Sequence, residues 1–409
     1  MHVVIFEGSH WLDFVPLSLT RPVFCLRSGA TTLLEKQLRY LQPTRLTLWV
    51  RPEMVDFVRR DVVPTLSIPV AINEPLHGEP VLILSGRTLH LTQFDLPSTP
   101  CVVLEMPHRL VRFAYTRAPG LSHSDVLNRT SAWLALADLP EALPQTRFAR
   151  HWADLVSWND ESLASDAATW TQPPPKGINL TLINESKIHA GEGVEVGPNV
   201  VLDARKGPIT LGSRAIVGAG AVLEGPCHVG ADARVTPLSL IRGGTSIGPM
   251  CRVGGEVSNT IFHANSNKSH EGFVGDSYIG EWVNLGAGTT TSNLKSTYGL
   301  IKLQLGDRDV PTDRLLLGVG VGDHAKTATH TQFSAGGYVG VAALVALSQR
   351  APRRVPSFSF WTDDTREAVP LDKATLIAQR VLPRRGQSVD DCDTARLAYA
   401  RDAAEKIGA

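Results

Sequence analysis

Through the middle of this chain an aliphatic residue returns every six positions, often followed by glycine. Leu211, Val217, Leu223, Val229, Val235, Ile241, Ile247 and Val253 are each six apart, and Gly212, Gly218, Gly230, Gly248 and Gly254 follow five of them. The series begins at Val196-Gly197 and Leu202. It resumes at Ile279-Gly280, Leu285-Gly286, Val321-Gly322, Thr327, Phe333, Val339-Gly340 and Val345. A period of six fits neither a 3.6-residue helix nor a two-residue alternation. It is the repeat of a hexapeptide β-helix. Each hexad forms one short side, three sides make a coil of about 18 residues, and coils stack roughly 4.8 Å apart. The aliphatic residue points inward, and the small residue lets the chain turn the corner.

Length and composition bound the rest. A chain of 409 residues suggests two or three domains. Forty basic residues balance 40 acidic ones, which implies no polyanion-binding character and no nucleic-acid partner. The five cysteines are scattered without a CxxC spacing, so a reducing compartment is expected, with neither a disulfide framework nor a zinc site. No apolar run reaches 18 residues and the N-terminus opens on a strand-like segment. The reading is a soluble, cytoplasmic protein with no membrane span.

Ahead of the repeat, strand-like and helix-like stretches alternate. Val3–Phe6, Leu46–Val50 and Val81–Leu84 read as strands. Thr32 and Glu35 form a capping box opening a helix with Leu34, Leu38 and Leu41 on one face. Pro52–Arg60 reads as a further helix with proline at its start. This rhythm predicts an α/β domain with a mostly parallel sheet. Residues 131–170 look helical, Trp152, Trp158 and Trp170 are expected to pack against neighbours, and Pro173–Pro175 marks a linker. Past the repeat, helices over 371–381 and 389–407, the second boxed by Ser388 and Asp391, suggest a tail capping the open solenoid end.

A solenoid of this kind needs no loops, so departures from the period carry information. One departure runs from Phe262 to Phe273 and is read as ejecting Lys268 and His270 from the coil register. Another runs from Asn293 to about Leu315 and holds Lys295, Tyr298 and Lys302. A loop histidine beside a lysine suits general-base work on an amine, because neutral imidazole accepts a proton near neutral pH. With 13 histidines in the chain, an exposed histidine without chemistry is the competing explanation.

Lys268-Ser269-His270-Glu271-Gly272-Phe273-Val274-Gly275-Asp276, followed by Tyr278–Thr289 and Ser292-Asn293, resembles the acetyltransferase domain of bacterial N-acetylglucosamine-1-phosphate uridyltransferases, the GlmU-like family. The likeness is specific over about 240–350 and weak elsewhere; the whole chain looks most like a divergent sugar nucleotidyltransferase branch. The resemblance implies an α/β, Rossmann-like nucleotidyltransferase domain over 1–175, a left-handed parallel β-helix over 180–350 and a helical C-terminal tail over 351–409. It implies His270 as the base that deprotonates the amine of glucosamine 1-phosphate, with acetyl-CoA as co-substrate and backbone amides holding the oxyanion. Asn284 and Asn293 match asparagines that hold the sugar phosphate and its amino group, Lys268 lies beside the base and is assigned to substrate binding, and Arg242 corresponds to a phosphate-binding arginine. Family members are homotrimers with the acetyl-CoA site between neighbouring β-helices.

The departures are chemical. The family's tyrosine three residues after the histidine is Phe273, a phosphate-gripping lysine is Ser258, and a tyrosine after the second asparagine is Leu294. In front, Phe6-Glu7-Gly8-Ser9-His10 keeps one glycine of the triphosphate loop. Arg21, in Leu17–Pro22, falls in the segment after that loop and is assigned to nucleotide. The aspartate expected to hold magnesium is Arg87, assigned instead to phosphate, while Asn159-Asp160 resembles the second metal-binding pair. A magnesium requirement is left open. The leading expectation is an acetyl-CoA-dependent N-acetyltransferase acting on an amino-sugar phosphate, with a degenerate nucleotidyltransferase-like domain. The alternatives are a bifunctional enzyme that also forms UDP-N-acetylglucosamine from UTP, and a non-catalytic trimeric regulator that binds a sugar nucleotide.

Overall fold

The computed structural model describes residues 1–93, 95–106, 108–142, 146–305 and 308–409. The chain forms two compact units. One comprises Met1–Phe14, Arg21–Leu26 and Thr32–Arg150; the other comprises Val15–Thr20, Arg27–Thr31 and His151–Ala409.

The first unit is an α/β domain. Its strands are β1 (His2–Phe6), β2 (Arg45–Trp49), β3 (Val70–Ile72), β4 (Val81–Ser85), β5 (Cys101–Glu105) and β6 (Leu110–Thr116), in the sheet order β3-β2-β1-β4-β6-β5. The first four are mutually parallel, and β6 and β5 add antiparallel at the edge. Strands β1 and β4 are buried along their whole length, as expected for a parallel sheet covered on both faces. Helix α1 (Leu33–Leu41) begins at the predicted box: Thr32 accepts from the Glu35 amide and the Glu35 carboxylate accepts from the Thr32 amide. Left-handed Gln42 ends it.

The second unit is a parallel β-solenoid with three faces. The first face runs Thr181–Ile183, Val201–Asp203, Val222–Glu224, Leu240–Ile241, Glu256–Ser258 and Phe273–Gly275; the second is a nine-stranded ladder from Ile188–Ala190 to Arg354–Val355. The third runs from Glu195–Val196 through Arg234–Val235 and Arg252–Val253 to Asn267–Lys268. It continues by bridges from Asn267 to Asn284 and from Asn284 to Lys326. Every aliphatic residue from Leu211 to Val253 in the six-residue series lies in one core stack, each at most 1% exposed. Each such burial is worth about 1.5–3 kcal/mol, so the stack supplies the main driving force. Corner spacing is equally strict: a Cβ on Gly248 would run into the His263 carbonyl of the next coil.

The boundary between units falls at His151, earlier than the proline linker suggests. Helices α2 (Trp152–Ser157) and α3 (Asn159–Ala167) belong to the solenoid unit, with the Trp152 indole against Gly320 and the Asn159 amide bonded to Gly244 and Ser246. Trp170 makes an edge contact with His228. At the far end, Ser359–Thr362 pairs with Leu344–Ala346 and turns into antiparallel Arg366–Ala368. Helices α4 (Leu371–Val381) and α5 (Asp391–Lys406) follow; the box on α5 is Asp390 with Asp393, two residues beyond the one expected. The tail does not simply cap the end: the residues after α4 lie against the third face, where Arg385 donates to the Met250 carbonyl.

Candidate functional site

The two interruptions behave differently. The later one is a real excursion, leaving the coil at Asn293 and returning at Leu317, whose amide donates to the Asn293 carbonyl at 2.9 Å. Its described residues form an antiparallel hairpin, Ile301–Leu305 with Arg308–Arg314. The earlier one is no loop. Phe262 is fully buried in register between Ile247 and Ile279, and Lys268 pairs with Val253. The coil has shortened here: Ile247 to Phe262 is 262 − 247 = 15 residues, and Val253 to Lys268 is 268 − 253 = 15.

Lys268 therefore occupies an inward slot of the core stack, 1% exposed. Its ammonium donates to the carbonyls of Gly254 (2.9 Å) and His270 (2.6 Å), and burial lowers its pKa to about 8. It holds main chain at the point where a substrate-facing lysine was expected. The neighbouring carbonyls are also tied down. Thr236 Oγ1 donates to Ser269 O at 3.2 Å, and the Gly288 amide donates to Glu271 O at 3.2 Å. Three successive carbonyls, at 269, 270 and 271, are thus held by three donors. Gly272 completes the turn at φ +112°, a region that suits glycine. His270 projects from this fixed corner with an exposed side chain.

The first face receives the chain after that corner. The Phe273 ring and the Asn293 amide both lie over Gly275, where a Cβ would meet each. Asp276, 8% exposed, is clasped by two amides: Asn259 Nδ2 donates to one oxygen at 2.7 Å and Asn293 Nδ2 to the other at 2.6 Å. The Asp160 carboxyl is raised by burial and then by the charges of Glu161 and Asp276. Arg242, about half exposed, pairs with Glu256 at 2.9 Å on the same face. Asn284 sits on the third face, its side-chain oxygen accepting from Asn267 Nδ2 at 3.4 Å. Of the residues singled out from sequence, His270, Asn293 and Arg242 share the first face and its corner, and Asn284 does not. Sequence reasoning missed the clasp on Asp276 and the tie from Thr236. Left-handed Asn259 and Asp276, at φ +42° and +50°, belong to residue types that tolerate that geometry at corners.

In the α/β unit, ligands are expected outside the carboxyl ends of the parallel strands. There Glu7 is buried, pairs with Arg51 at 3.0 Å, and accepts from the Val23 amide at 3.2 Å. Burial raises its pKa. The Arg51 guanidinium lies 4.1 Å from the Trp11 ring and donates to the carbonyl of Arg21, itself 3% exposed. Arg87 is held 3.4 Å from Glu105 and 4.2 Å over Phe148, its pKa lowered to about 10 by burial. A carboxylate where a triphosphate loop would run opposes a triphosphate. In the solenoid unit, Asn159 is fully buried with its amide oxygen on the Gly29 amide and its nitrogen on Gly244 O and Ser246 Oγ. Among the described residues no cluster of three His, Cys, Asp or Glu could hold a metal. A guanidinium at 87 and a fully engaged amide at 159 do not fit a magnesium ion.

Residues 3–96 match a family model described as sugar nucleotidyl transferase. The chain is 34% identical over 123 residues to the bifunctional protein GlmU of Cupriavidus pinatubonensis, covering 28% of this chain and 25% of that protein. Over that stretch the chain is similar to GlmU. Against GlmU of Bordetella parapertussis the identity is 35% over 123 residues, again 28% of this chain and 25% of the relative. Against that of Micrococcus luteus it is 27% over 219 residues, 51% of this chain and 39% of the relative. The chain spans between a quarter and two-fifths of the length of these curated relatives. Among the described residues no helix is long and apolar enough to cross a membrane.

Proposed function

We propose that the chain transfers the acetyl group of acetyl-CoA to the amine of an amino-sugar phosphate, with His270 as general base. The observation that carries this reading is the corner itself. Three consecutive carbonyls are held by hydrogen bonds while the imidazole projects outward, so the backbone that carries the ring is already ordered when a ligand arrives. Imidazole takes one proton from the acceptor ammonium, the freed amine attacks the thioester carbonyl, and the C–S bond breaks with CoA leaving as the thiol, its sulfur taking the second proton lost from nitrogen. Asp276, fixed by Asn259 and Asn293, offers negative charge near an amine that arrives protonated. Arg242 and Asn293 are the contacts expected for the sugar phosphate, and Asn284 is the further one that the resemblance assigns. Lys268 acts on the backbone of the base. The family resemblance of the sequence also makes a homotrimer the expected assembly, which light scattering would test.

A second reading, in which the α/β unit also joins UTP to the acetylated sugar phosphate, is favoured by the family-model match over 3–96. Buried Glu7 and the substituted Arg87 weigh against it. The discriminating experiment offers purified protein acetyl-CoA with a panel of amino-sugar phosphates and follows thiol release, then offers UTP and N-acetylglucosamine 1-phosphate and follows pyrophosphate. Thiol release without pyrophosphate supports the first reading. Neither product would leave the non-catalytic regulator as the better account.

A further inference from the structure

Acyl transfer leaves one constellation of the α/β unit unused, at the carboxyl ends of the parallel strands where this class of fold takes its ligands. Strands β1 and β4 are neighbours, with Phe6 opposite Ser85. After β1 the chain enters a short 3₁₀ segment, Ser9–Phe14, in which residues three apart eclipse one another. That spacing puts His10 against Asp13, with Nδ1 2.9 Å from the carboxylate. An ionised carboxylate only accepts, so Nδ1 carries the proton and Nε2 keeps its lone pair. The imidazole is 40% exposed, and among the described residues Nε2 has no hydrogen-bond partner. The segment itself is anchored. Phe14 is fully buried, and Trp11 lies 4.1 Å from the Arg51 guanidinium that pairs with Glu7.

A histidine and an aspartate three apart can pair on any surface turn. What distinguishes this pair is the cationic ground beside it. Arg87 stands two residues past the end of β4, and Asp13 is close enough for its charge to act on that guanidinium. Burial lowers the Arg87 pKa to about 10, Glu105 and then Asp13 oppose the shift, and Arg112 adds to it. Arg87 and Arg112 lie 4.2 and 4.1 Å from the ring of Phe148. The Arg112 pKa is lowered too, by burial, with Glu105 opposing and Arg150 adding. Arg87, Arg112 and Arg150 thus stand against Glu105 and Asp13, and both carboxylates are engaged, with Arg87 at 3.4 Å and with His10. Excess positive charge in a partly desolvated place favours an anion, and guanidinium forks suit the oxygens of a phosphate. A lone-pair nitrogen oriented by a carboxylate has the geometry of an activated nucleophile.

We propose that His10, oriented by Asp13, is a phosphoryl acceptor, and that the α/β unit cleaves a phosphate monoester through a phosphohistidine while Arg87 holds the phosphoryl oxygens. The Nε2 lone pair attacks phosphorus, the Nε2–P bond forms, and the P–O bond to the alcohol breaks, its oxygen taking a proton from solvent. The ring is then cationic, and Asp13 on Nδ1–H balances that charge. Water attacks phosphorus, the N–P bond breaks, and neutral imidazole returns. One water is consumed, and alcohol and inorganic phosphate are released. No step uses His270 or the solenoid, so the inference stands whether or not acetyl transfer occurs.

The test is release of p-nitrophenolate from p-nitrophenyl phosphate by the full chain, with a chelator present. Wild type is compared with His10→Gln, Asp13→Asn and His77→Gln, the last changing an exposed histidine outside the constellation. Wild type quenched during turnover is also digested, and the mass of the peptide carrying His10 is read. Wild type is expected to release p-nitrophenolate, at least about 100-fold more slowly in His10→Gln and at least about tenfold more slowly in Asp13→Asn. His77→Gln should match wild type. The His10 peptide should carry a phosphoryl group that survives alkali and is lost in acid. That adduct is read on wild type, so it does not depend on any variant folding. Absence of release by wild type overturns the inference. So does release that His10→Gln leaves intact, or turnover that puts no phosphoryl group on His10.

Discussion

Replacing Lys268 with methionine separates two opposing effects of one buried amine. At low pH the lysine is charged in both the folded and unfolded chain, and folding bears the full cost of burying the charge. Burial lowers the pKa from 10.5 to about 8, a difference of 10.5 − 8 = 2.5. At 1.36 kcal/mol per pKa unit that is about 3 kcal/mol. The cost is complete below pH 8, fades as pH rises and is gone above 10.5, so the wild type gains stability across that window. Methionine removes the cost at every pH but leaves the carbonyls of Gly254 and His270 without their donor, at about 1–3 kcal/mol each. Near pH 7 the two effects largely offset, and the variant should lie within about 3 kcal/mol of wild type. By pH 10 the wild type should have pulled ahead by roughly a further 3 kcal/mol. Urea unfolding of the solenoid transition at a series of pH values measures the gap. A gap that stays constant from pH 7 to 10.5 would refute the assignment of Lys268 to the core.

Three further substitutions probe the frame. Trp152→Ala empties the space over Gly320 and should cost about 3–5 kcal/mol in the solenoid transition, read by urea titration. Arg51→Ala leaves the buried Glu7 carboxylate uncompensated and should destabilise the α/β unit by about 3–5 kcal/mol, read by thermal unfolding. Asn159→Ala removes the amide joining Gly29, Gly244 and Ser246 and should cost about 2–4 kcal/mol; melting curves with and without a chelator should show the same loss.

What could be read from sequence follows how local each signal is. The solenoid was legible because inward slots repeat at fixed spacing, and Leu211 to Val253 fill them without exception. The parallel sheet was legible because β1 and β4 are apolar but for one end residue each, His2 and Ser85. Phe262–Phe273 was misread as a loop because the coil shortens to 15 residues there and a lysine fills a slot held elsewhere by valine, leucine or threonine. Polarity suggested exposure, and two backbone carbonyls supplied what the ammonium needed. The partner of α2 and α3 was hidden for a different reason: apolar faces announce burial without naming what buries them. Likewise His270 and Asn293 could be singled out, but the clasp of Asn259 and Asn293 on Asp276 depends on coil-to-coil register, which no single segment encodes.

The central claim is that an exposed imidazole on a corner fixed from inside removes the proton from an acceptor amine. It is tested most directly by acetyl transfer from acetyl-CoA to glucosamine 1-phosphate, compared between wild type and His270→Ala across pH. The account predicts that the variant loses about 10²–10⁴-fold in kcat, with the limb of the pH profile that reports the base disappearing. A His270→Ala protein that turns over at the wild-type rate with an unchanged profile would contradict it.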